Sequence, residues 1–460
     1  MKFKGGYNIK IKGEPSKKVQ NIPDVDALYL PLRSGRLHFS SLSVKDGDAV
    51  KQGQVLAEDP DSYSVPLLAP RPGTVRLQKE DGHIVLDGVQ KASEVKVDMK
   101  SGTPDKAAAM GSIGEKRYAA LRLGVWQFFS NALTGELADP FGKPQAIIIS
   151  AAQLEPFLPH EDVITEEDLS GFSQGLEYIH SLSEDNPLYV IISRKKSRFS
   201  EGVKALAQKH SWIQLHTVPA RYPYDNCKLL AQLLIPGSSP MGDPVWAIGI
   251  EGVTAVGRST ASSTPHTSCI ISVGGPGAKG PTHIRTVLGY PIDKIVDTYK
   301  NCSPVRTLSG GIFTGTIIDE SQKGLDAECR GLTLIGENKK RDFLAFSRLG
   351  FTTHAFSNTN ISAILPFIKE SITTGIRGEH RPCLCCGFCE EVCSAGIMPN
   401  LLHRYTNKGR LEQAIKHGLT LCVQCGLCSY VCPSKIDVRN GLRDALEKLK
   451  SELLAEEEVS

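Results

Sequence analysis

The chain has 460 residues, of which 40% are hydrophobic and 22% charged, a globular composition that excludes a disordered or collagen-like protein. Lys and Arg number 53 against 50 Asp and Glu, so the net charge of +3 provides no global basic surface, and nucleic acid is not an expected partner. No apolar run reaches the roughly 18 residues of a transmembrane helix, and the N-terminus lacks a secretory signal, which predicts a cytoplasmic chain with reduced thiols.

The first predicted domain, residues 1–105, has the pattern of a barrel-sandwich fold. Between residues 41 and 75, apolar residues alternate with polar ones, and glycines separate short strands. The spacing resembles that of biotinyl/lipoyl-type domains: Val44-x2-Gly47-Asp48-x-Val50-x2-Gly53-Gln54-x-Leu56, then Ala69-Pro70 and Gly73-Thr74-Val75. Carrier domains of that type present a modified lysine between their two halves, whereas residues 61–68 contain no lysine. We therefore expect a structural or docking role.

The second predicted domain, residues 106–255, alternates strands and helices. Buried-type strands at 146–149 and 188–192 flank a helix that begins near Thr165, and further strands are predicted near 212–216 and 245–248. Strand–helix–strand alternation predicts a Rossmann-like α/β layer with parallel pairing.

The third predicted domain, residues 256–345, opens with a glycine-rich loop at 274–280. Pro276 and Pro281 interrupt the glycines and no Walker lysine follows, so we predict a tight structural turn and no nucleotide site. Apolar residues from Ile284 to Val296 then recur at helix-like spacing. The stretch that ends at Gly310-Gly311 resembles the small ubiquitin-like SLBB domain.

Thirteen cysteines are present, and nine of them lie between positions 383 and 432. Eight of the nine form two copies of one spacing: Cys383-x2-Cys386-x2-Cys389-x3-Cys393 and Cys422-x2-Cys425-x2-Cys428-x3-Cys432. Bacterial-type [4Fe–4S] proteins use this spacing, and the fourth cysteine of each copy ligates the other cluster. The rule assigns one cluster to Cys383, Cys386, Cys389 and Cys432, and the second to Cys422, Cys425, Cys428 and Cys393.

Cys385 fits neither copy of the spacing, and we interpret it as a neighbour of the first cluster. Structural zinc is the alternative interpretation, because CxxC pairs also bind zinc. Each copy carries four cysteines, and Pro433 follows the second as in iron–sulfur proteins, although Ser394 stands at that position in the first copy.

The remainder of the fourth predicted domain, residues 346–460, is expected to be a linker and helices. Two short helices are predicted between the cysteine copies, around Leu402 and Ala414, and an amphipathic helix with Leu442 on its apolar face follows them. Two neighbouring clusters without an open coordination position would relay single electrons.

The order of these four parts resembles the NqrA/RnfC family of redox-complex subunits over nearly the full length. The opening Gly5-Gly6-Tyr7-Asn8-Ile9 lacks the His-Pro of the RnfC branch. Residues 124–129 are similar to the Gly-Leu-Trp-x-x-Phe stretch of the NqrA branch, which has lost the flavin loop. The chain departs from the usual NqrA pattern because it keeps both complete cysteine sets.

The resemblance implies an electron-transfer subunit of a membrane-associated, ion-translocating NADH:quinone oxidoreductase of the sodium-pumping type. Such a subunit lies at the cytoplasmic face of the bacterial inner membrane, is docked on the other subunits of the pump, and has no transmembrane helix of its own. Whether the isolated chain is catalytic stays open. FMN is not expected, and quinone is a candidate ligand. Trp126, Phe128 and Phe129 would line a quinone pocket or, alternatively, form an ordinary aromatic core.

Two other functions remain open on the sequence. An RnfC-like subunit would carry its own FMN and NADH site, and flavin content distinguishes it from the leading interpretation. A docking scaffold would use its clusters only structurally, in which case they would not titrate in a physiological range of potential.

Overall fold

The computed structural model describes residues 3–78, 81–92, 95–97, 103–165, 169–239, 242–338, 356, 372–375 and 380–459. Four regions of different architecture follow one another within these residues. The start of the fourth predicted domain, residues 346–379, lies almost wholly outside them. Among the helices of the described residues, none is long and apolar enough to cross a bilayer.

The first region is built from ten short strands. Their bounds are β1 Val19–Asn21, β2 Ala27–Pro31, β3 Arg33–Ser34, β4 Leu37–His38, β5 Ser41–Leu42, β6 Ala49–Val50, β7 Val55–Asp59, β8 Val65–Leu68, β9 Gly73–Gln78 and β10 His83–Asp87. A four-stranded sheet, β2-β10-β9-β6, faces a three-stranded sheet, β5-β7-β8. Leu30, Leu56 and Ile84 have no exposed surface and form the core between the sheets. Strand β1 leaves this region to pair in parallel with a strand of the third region.

The second region is an α/β layer. Its elements are α1 Asp105–Ala109, α2 Gly111–Arg122, β11 Ser130–Asn131, β12 Ala146–Ser150, α3 Glu161–Thr165, α4 Leu169–His180, β13 Leu188–Ser193, α5 Arg198–Lys209, β14 Ile213–Val218, α6 Cys227–Leu234, β15 Val245–Gly249 and α7 Ile250–Ser262. The sheet order is β11-β15-β12-β13-β14, and β15, β12, β13 and β14 are parallel. The predicted strands are therefore confirmed, while α7 continues to Ser262, beyond the expected boundary at 255.

The order of the parallel strands creates a crevice. From β12 the chain proceeds outward through β13 to β14, and it then returns to place β15 on the other side of β12. In open α/β sheets the crevice lies at the carboxyl ends of the two strands where the direction reverses, here β12 and β15. Helices α4 and α7 cross closely over the sheet, since a Cβ on Gly257 would lie only 1.9 Å from the Gly171 carbonyl oxygen.

The third region is a mixed sheet with one helix. Its elements are β16 Ser268–Gly274, β17 Thr282–Val287, α8 Ile292–Tyr299, β18 Val305–Ser309, β19 Thr316–Ile317 and β20 Gly331–Gly336. The sheet order is β1-β17-β16-β20-β18-β19, with β20 parallel to β16 and the neighbouring pairs β16–β17 and β18–β20 antiparallel.

Two sequence expectations for this region have different outcomes. The helical interpretation of residues 284–288 is wrong, because Thr282–Val287 pairs with a strand on each side, whereas Ile292–Tyr299 is a helix as predicted. The glycine-rich loop is a tight turn. Gly275 has φ +101°, and a Cβ there would lie 2.4 Å from the Leu334 carbonyl oxygen.

The C-terminal region, within residues 380–459, is helical. Its helices are α9 Phe388–Glu391, α10 Pro399–Thr406, α11 Leu411–Lys416, α12 Leu427–Tyr430 and α13 Val438–Val459. Two short helices thus separate the cysteine copies, as predicted. Leu402, Ala414 and Leu442 are fully buried against one another and against the half-buried cysteines.

Candidate metal centre and adjoining cavity

The two cysteine copies share one local conformation. Each contains a glycine in the left-handed region, Gly387 with φ +79° and Gly426 with φ +77°, which glycine adopts without steric cost. Each glycine starts a helix of only four residues, α9 or α12, that carries the third cysteine of its copy. The sequence repeat is therefore also a structural repeat.

The residue two positions after the first cysteine has the same role in both copies. Cys385 and Gln424 have φ +51° and +56°. The Cys385 backbone N–H donates to Cys383 Sγ at 3.4 Å, and the Gln424 side-chain amide donates to Cys422 Sγ at 3.3 Å. Cys385 thus occupies the place of a glutamine, which separates it from the cysteines of the repeat.

The fourth cysteine of the first copy lies with the second copy. Cys393 interacts electrostatically with Cys422, Cys425 and Cys428. Burial is the main reason that the pKa of the Cys425 thiol rises to about 12, and repulsion by Cys422 and Cys393 adds to it. Burial and then repulsion likewise raise the pKa of Cys428 well above its ordinary value. Four sulfurs from two distant stretches therefore share one buried volume.

Cys389 interacts electrostatically with Cys383 and Cys386 of its own copy. Burial raises the pKa of Cys389 to about 11, and Cys386 and Cys383 contribute repulsion. The segment after Cys432 is tied to this copy, because the Arg381 N–H donates to the Ser434 carbonyl at 2.9 Å and the Ser434 hydroxyl donates to the Pro382 carbonyl at 3.0 Å. Cys383 and Cys386 are exposed, whereas the four cysteines of the second group are half-buried.

Two cations lie near the buried sulfur group. Lys228 interacts with Cys422, and Arg439 interacts with Cys422 and Cys425. Burial lowers the pKa of Lys228, while the Cys422 thiol opposes that shift. These positive charges would partly offset the charge of thiolates.

No group of three or more His, Cys, Asp or Glu side chains within the described residues is arranged to hold a single metal ion.

A cavity of about 1210 Å³ lies where the first three regions meet. It occupies the crevice at the ends of β12 and β15, with Gln153 and Gly249 on its wall. Arg36 lines it from the first region, and Gly310 and Arg330 line it from the third.

The three aromatic residues predicted for a quinone pocket are separated by the structure. Trp126 and Phe129 are fully buried in the α/β core, stacked at a ring-centroid distance of 4.6 Å, and both contact the edge of Trp246. Phe128 lines the cavity and meets His266 edge-on at 5.2 Å. Of the three, Phe128 is therefore the residue with access to a ligand in this cavity.

Tyr222 connects the cavity to the buried sulfur group. Its ring lines the cavity and stacks on Phe313 at 5.0 Å, and its hydroxyl donates to the Cys425 carbonyl at 2.9 Å. The N-terminal segment covers the same junction, since the Gly6 N–H donates to the Val392 carbonyl and Tyr7 bridges to Tyr222.

Two buried acids line the cavity beside Tyr222. Glu155 accepts hydrogen bonds from the backbone N–H groups of Phe313 and Thr314, at 2.9 and 2.7 Å, and from the Thr314 hydroxyl at 2.6 Å. Asp225 Oδ2 accepts from the N–H groups of Leu154 and Glu155, at 2.8 and 2.9 Å. Burial raises the pKa of both acids, and for Asp225, where the Glu155 charge adds to burial, it reaches about 6.

Sequence reasoning missed Tyr222, Glu155 and Asp225. Both acids belong to loops at the edge of the parallel sheet: Glu155 follows β12, and Asp225 precedes α6. Acidic residues in the loops that follow the parallel strands β12 and β14 are the signal that could have directed attention to them.

Comparisons with known proteins agree with this architecture. Residues 1–81 match the family model described as the NqrA N-terminal barrel-sandwich hybrid domain, and residues 117–262 match the NqrA second alpha/beta domain. The predicted barrel-sandwich and α/β domains are thereby confirmed.

The similarity to curated relatives covers nearly the whole chain. The chain is 26% identical to the A subunit of the Na(+)-translocating NADH-quinone reductase of Pseudomonas aeruginosa, over 98% of this chain and 100% of the relative. It is 25% identical to the protein of the same name from Neisseria meningitidis, with the same coverage. A solved NAD+-reducing [NiFe]-hydrogenase aligns at a TM-score of 0.40 and 13% identity over 85% of this chain and 74% of that one, too weakly for any argument.

Proposed function

Since the chain belongs to the NqrA family, we propose that it is the A-type subunit of a Na+-translocating NADH:quinone reductase and relays single electrons through two [4Fe–4S] clusters. It would be a peripheral component on the cytoplasmic face of the bacterial inner membrane, bound to the other subunits of the pump. The full-length match to relatives that carry the name of this A-type component supports the placement.

The observation that carries the relay is the position of Cys393. Its sulfur lies with those of Cys422, Cys425 and Cys428, although 28 residues separate Cys393 from Cys422. Two-cluster iron–sulfur proteins exchange their fourth cysteines in this way. The contacts of Ser434 with residues 381 and 382 support the reciprocal placement of Cys432.

The all-cysteine donor set, with four cysteines in each copy of the spacing, fits an iron–sulfur cluster. All the donors are thiols, and burial together with mutual repulsion raises the pKa of the thiols of Cys425 and Cys428, so a cationic centre is needed to stabilise their ionised forms. Thiolates are soft ligands that suit zinc or iron–sulfur clusters.

When bound, each cluster would accept and release one electron at a time. The protein itself would position the cysteine sulfurs around each cluster and limit the access of water to Cys393, Cys422, Cys425 and Cys428. Lys228 and Arg439 would offset part of the negative charge there. The exposed Cys383 and Cys386 would set the first cluster near the surface, where a partner protein could exchange electrons with it.

The interdomain cavity is the place in this chain that we propose for quinone. Phe128 would contact the ligand, and Trp126 and Phe129 would support Phe128 from the core. FMN is not expected, because the flavin loop is missing at 124–129. The third region corresponds to the SLBB-like domain and the C-terminal region to the helical ferredoxin module of this proposal. Its domain bounds are 1–105, 106–255, 256–345 and 346–460.

Chemical analysis of the full chain, purified without oxygen, tests this proposal. We expect about eight irons and about eight acid-labile sulfides per chain, without flavin and without stoichiometric zinc. Zinc in place of iron would refute the relay, and stoichiometric FMN would favour an RnfC-like catalytic subunit.

A further inference from the structure

The two acids beside Tyr222, Glu155 and Asp225, differ in the hydrogen bonds that their carboxylate oxygens accept. Glu155 accepts three hydrogen bonds that together engage both of its oxygens, which stabilises the ionised carboxylate. Asp225 accepts two bonds, both at Oδ2, while Oδ1 is buried and has no hydrogen-bond partner among the described residues. A buried unpartnered oxygen is costly and requires an explanation.

A proton on Asp225 Oδ1 would remove the cost of placing negative charge on that unpartnered oxygen. The two acids are close enough for the charge of Glu155 to act on Asp225, and two neighbouring buried carboxylates resist simultaneous ionisation. Because Glu155 holds the better set of donors, Asp225 is the member that takes the proton. Burial raises the pKa of Asp225 to about 6, close to neutrality.

The cavity and Tyr222 connect this acid to solvent and to the sulfur group. Asp225 lines the cavity, which provides a route for protons. Tyr222 interacts electrostatically with Glu155, Cys425 and Asp225, so all of these groups lie in one low-dielectric environment. The other titratable groups facing the pair are Cys227 beside Asp225 and Arg439 near Glu155, and Arg330 faces Cys227. None of the hydrogen-bond donors to the two acids belongs to a proposed cluster ligand.

We propose that Asp225, through Oδ1, binds one proton when the centre held by Cys393, Cys422, Cys425 and Cys428 gains one electron. This inference rests on the proposed iron–sulfur function and adds a redox-linked proton site to it. One electron arrives from a chemical reductant, one proton arrives from solvent through the cavity, and the new bond is Oδ1–H. As a general scale, a negative charge roughly 10 Å from a carboxyl group at an effective dielectric near 20 raises its proton affinity about tenfold.

Potentiometric EPR of the full chain between about pH 5 and pH 8, with dithionite as reductant, tests the coupling. The EPR signal that is missing from Cys425→Ala identifies this cluster. We expect its midpoint potential to fall by about 59 mV between pH 5 and pH 8, which is the one-electron equivalent of a tenfold change in proton affinity. Asp225→Asn should remove the pH dependence. Asp326→Asn is the matched control, a buried acid of the same cavity whose partners are Glu328 and Gln322, and it should retain the dependence.

Infrared difference spectra of the wild-type chain give a second readout if Asp225→Asn does not fold. Reduction should produce a protonated-carboxyl C=O band. A potential that is independent of pH in the wild type, or no such band, would overturn the proton site while leaving the clusters in place. An absence of any EPR signal would instead refute the iron–sulfur function on which the inference depends.

Discussion

The Tyr222 hydroxyl donates a hydrogen bond of 2.9 Å to the backbone carbonyl of Cys425. This bond joins a loop of the α/β region to the second cysteine copy, and the Tyr222 ring forms part of the cavity wall. Tyr222 therefore contacts both the cavity and the backbone of the second cysteine copy. A ligand in the cavity would lie close to the inner end of the proposed electron relay.

Removing that hydroxyl should destabilise the junction between the two regions. We expect Tyr222→Phe to lower the free energy of unfolding by about 1 kcal/mol, because the buried Cys425 carbonyl loses its donor. Tyr290→Phe is the matched control, since the Tyr290 hydroxyl donates to the Pro23 carbonyl at 3.0 Å, remote from the sulfurs. Urea denaturation measures both losses. Only Tyr222→Phe should also accelerate the loss of iron during denaturation. Equal rates of iron loss in the two variants would contradict the claim that the Tyr222 hydroxyl stabilises the contact with the second cysteine copy.

The ligand assignment predicts opposite results for two cysteines eight positions apart. Cys393→Ser should remove or severely destabilise one cluster, lowering the iron content from about eight to about four per chain. Cys385→Ser should leave the iron content unchanged, because Cys385 occupies the position of Gln424 in the other copy. Iron and sulfide analysis after anaerobic purification distinguishes the two variants. A loss of iron in Cys385→Ser with none in Cys393→Ser would reverse the assignment.

The glycine-rich loop should be intolerant of side chains where it touches β20 (Gly331–Gly336). Gly275→Ala should cost more than about 3 kcal/mol, because the new methyl group would meet the Leu334 carbonyl oxygen in addition to the strain of a positive φ. Gly280→Ala should cost only about 1 kcal/mol, since Gly280 has φ +60° but a methyl group added there would have no atom of the described residues within 4 Å. Thermal unfolding compares the two variants. Equal costs would argue that the loop is open, as a nucleotide-binding loop would be.

His266 should make the stability of the protein depend on pH. Burial, and secondarily Arg258, lower the pKa of His266 to about 4 in the folded chain, below its ordinary value. The unfolded state then binds more protons between about pH 4 and pH 6.5, so this residue's contribution to stability is lost as the pH falls through that window. Because His266 lines the open cavity and is only half-buried, we expect a loss of about 1 kcal/mol between pH 7 and pH 5.

Urea denaturation at pH 7, 6 and 5 measures this dependence. In His266→Gln the free energy of unfolding should fall by about 1 kcal/mol less between pH 7 and pH 5 than in the wild type. The matched control is His38→Gln, at an exposed histidine, and it should keep the wild-type slope of unfolding free energy against pH. A slope that is the same in all three proteins would show that His266 is protonated in the folded state as readily as in the unfolded one.

Local patterns predicted much of the fold and the proposed cluster ligands. Continuous apolar runs located strands β12 (Ala146–Ser150) and β13 (Leu188–Ser193), because strands buried on both faces carry few polar residues. The spacing rule grouped Cys393 with the second cysteine copy. Residues 284–288 were misassigned because a short apolar run fits the spacing of a helix as well as that of a strand. Hydrogen bonding to β1, which comes from the N-terminal segment, stabilises the strand.

The residues around the cavity were beyond the reach of local patterns. Glu155 lies in the loop after β12, whereas Tyr222 and Asp225 lie in the loop between β14 and α6, and they meet only because the sheet order places those two loops at one edge. Trp126 and Phe129 look like pocket residues in sequence, yet their large apolar rings complete the α/β core, and of the three predicted aromatic residues Phe128 alone lies against the cavity.

The most direct test of the electron relay is potentiometric EPR on the anaerobically purified full chain with quantitative spin integration. We expect two reducible signals that together integrate to about two spins per chain, with each reduced [4Fe–4S] cluster contributing one unpaired spin, and that titrate reversibly. A chain without paramagnetic signals, or with zinc at the cysteines, would contradict the relay and leave the cysteine region a purely structural role.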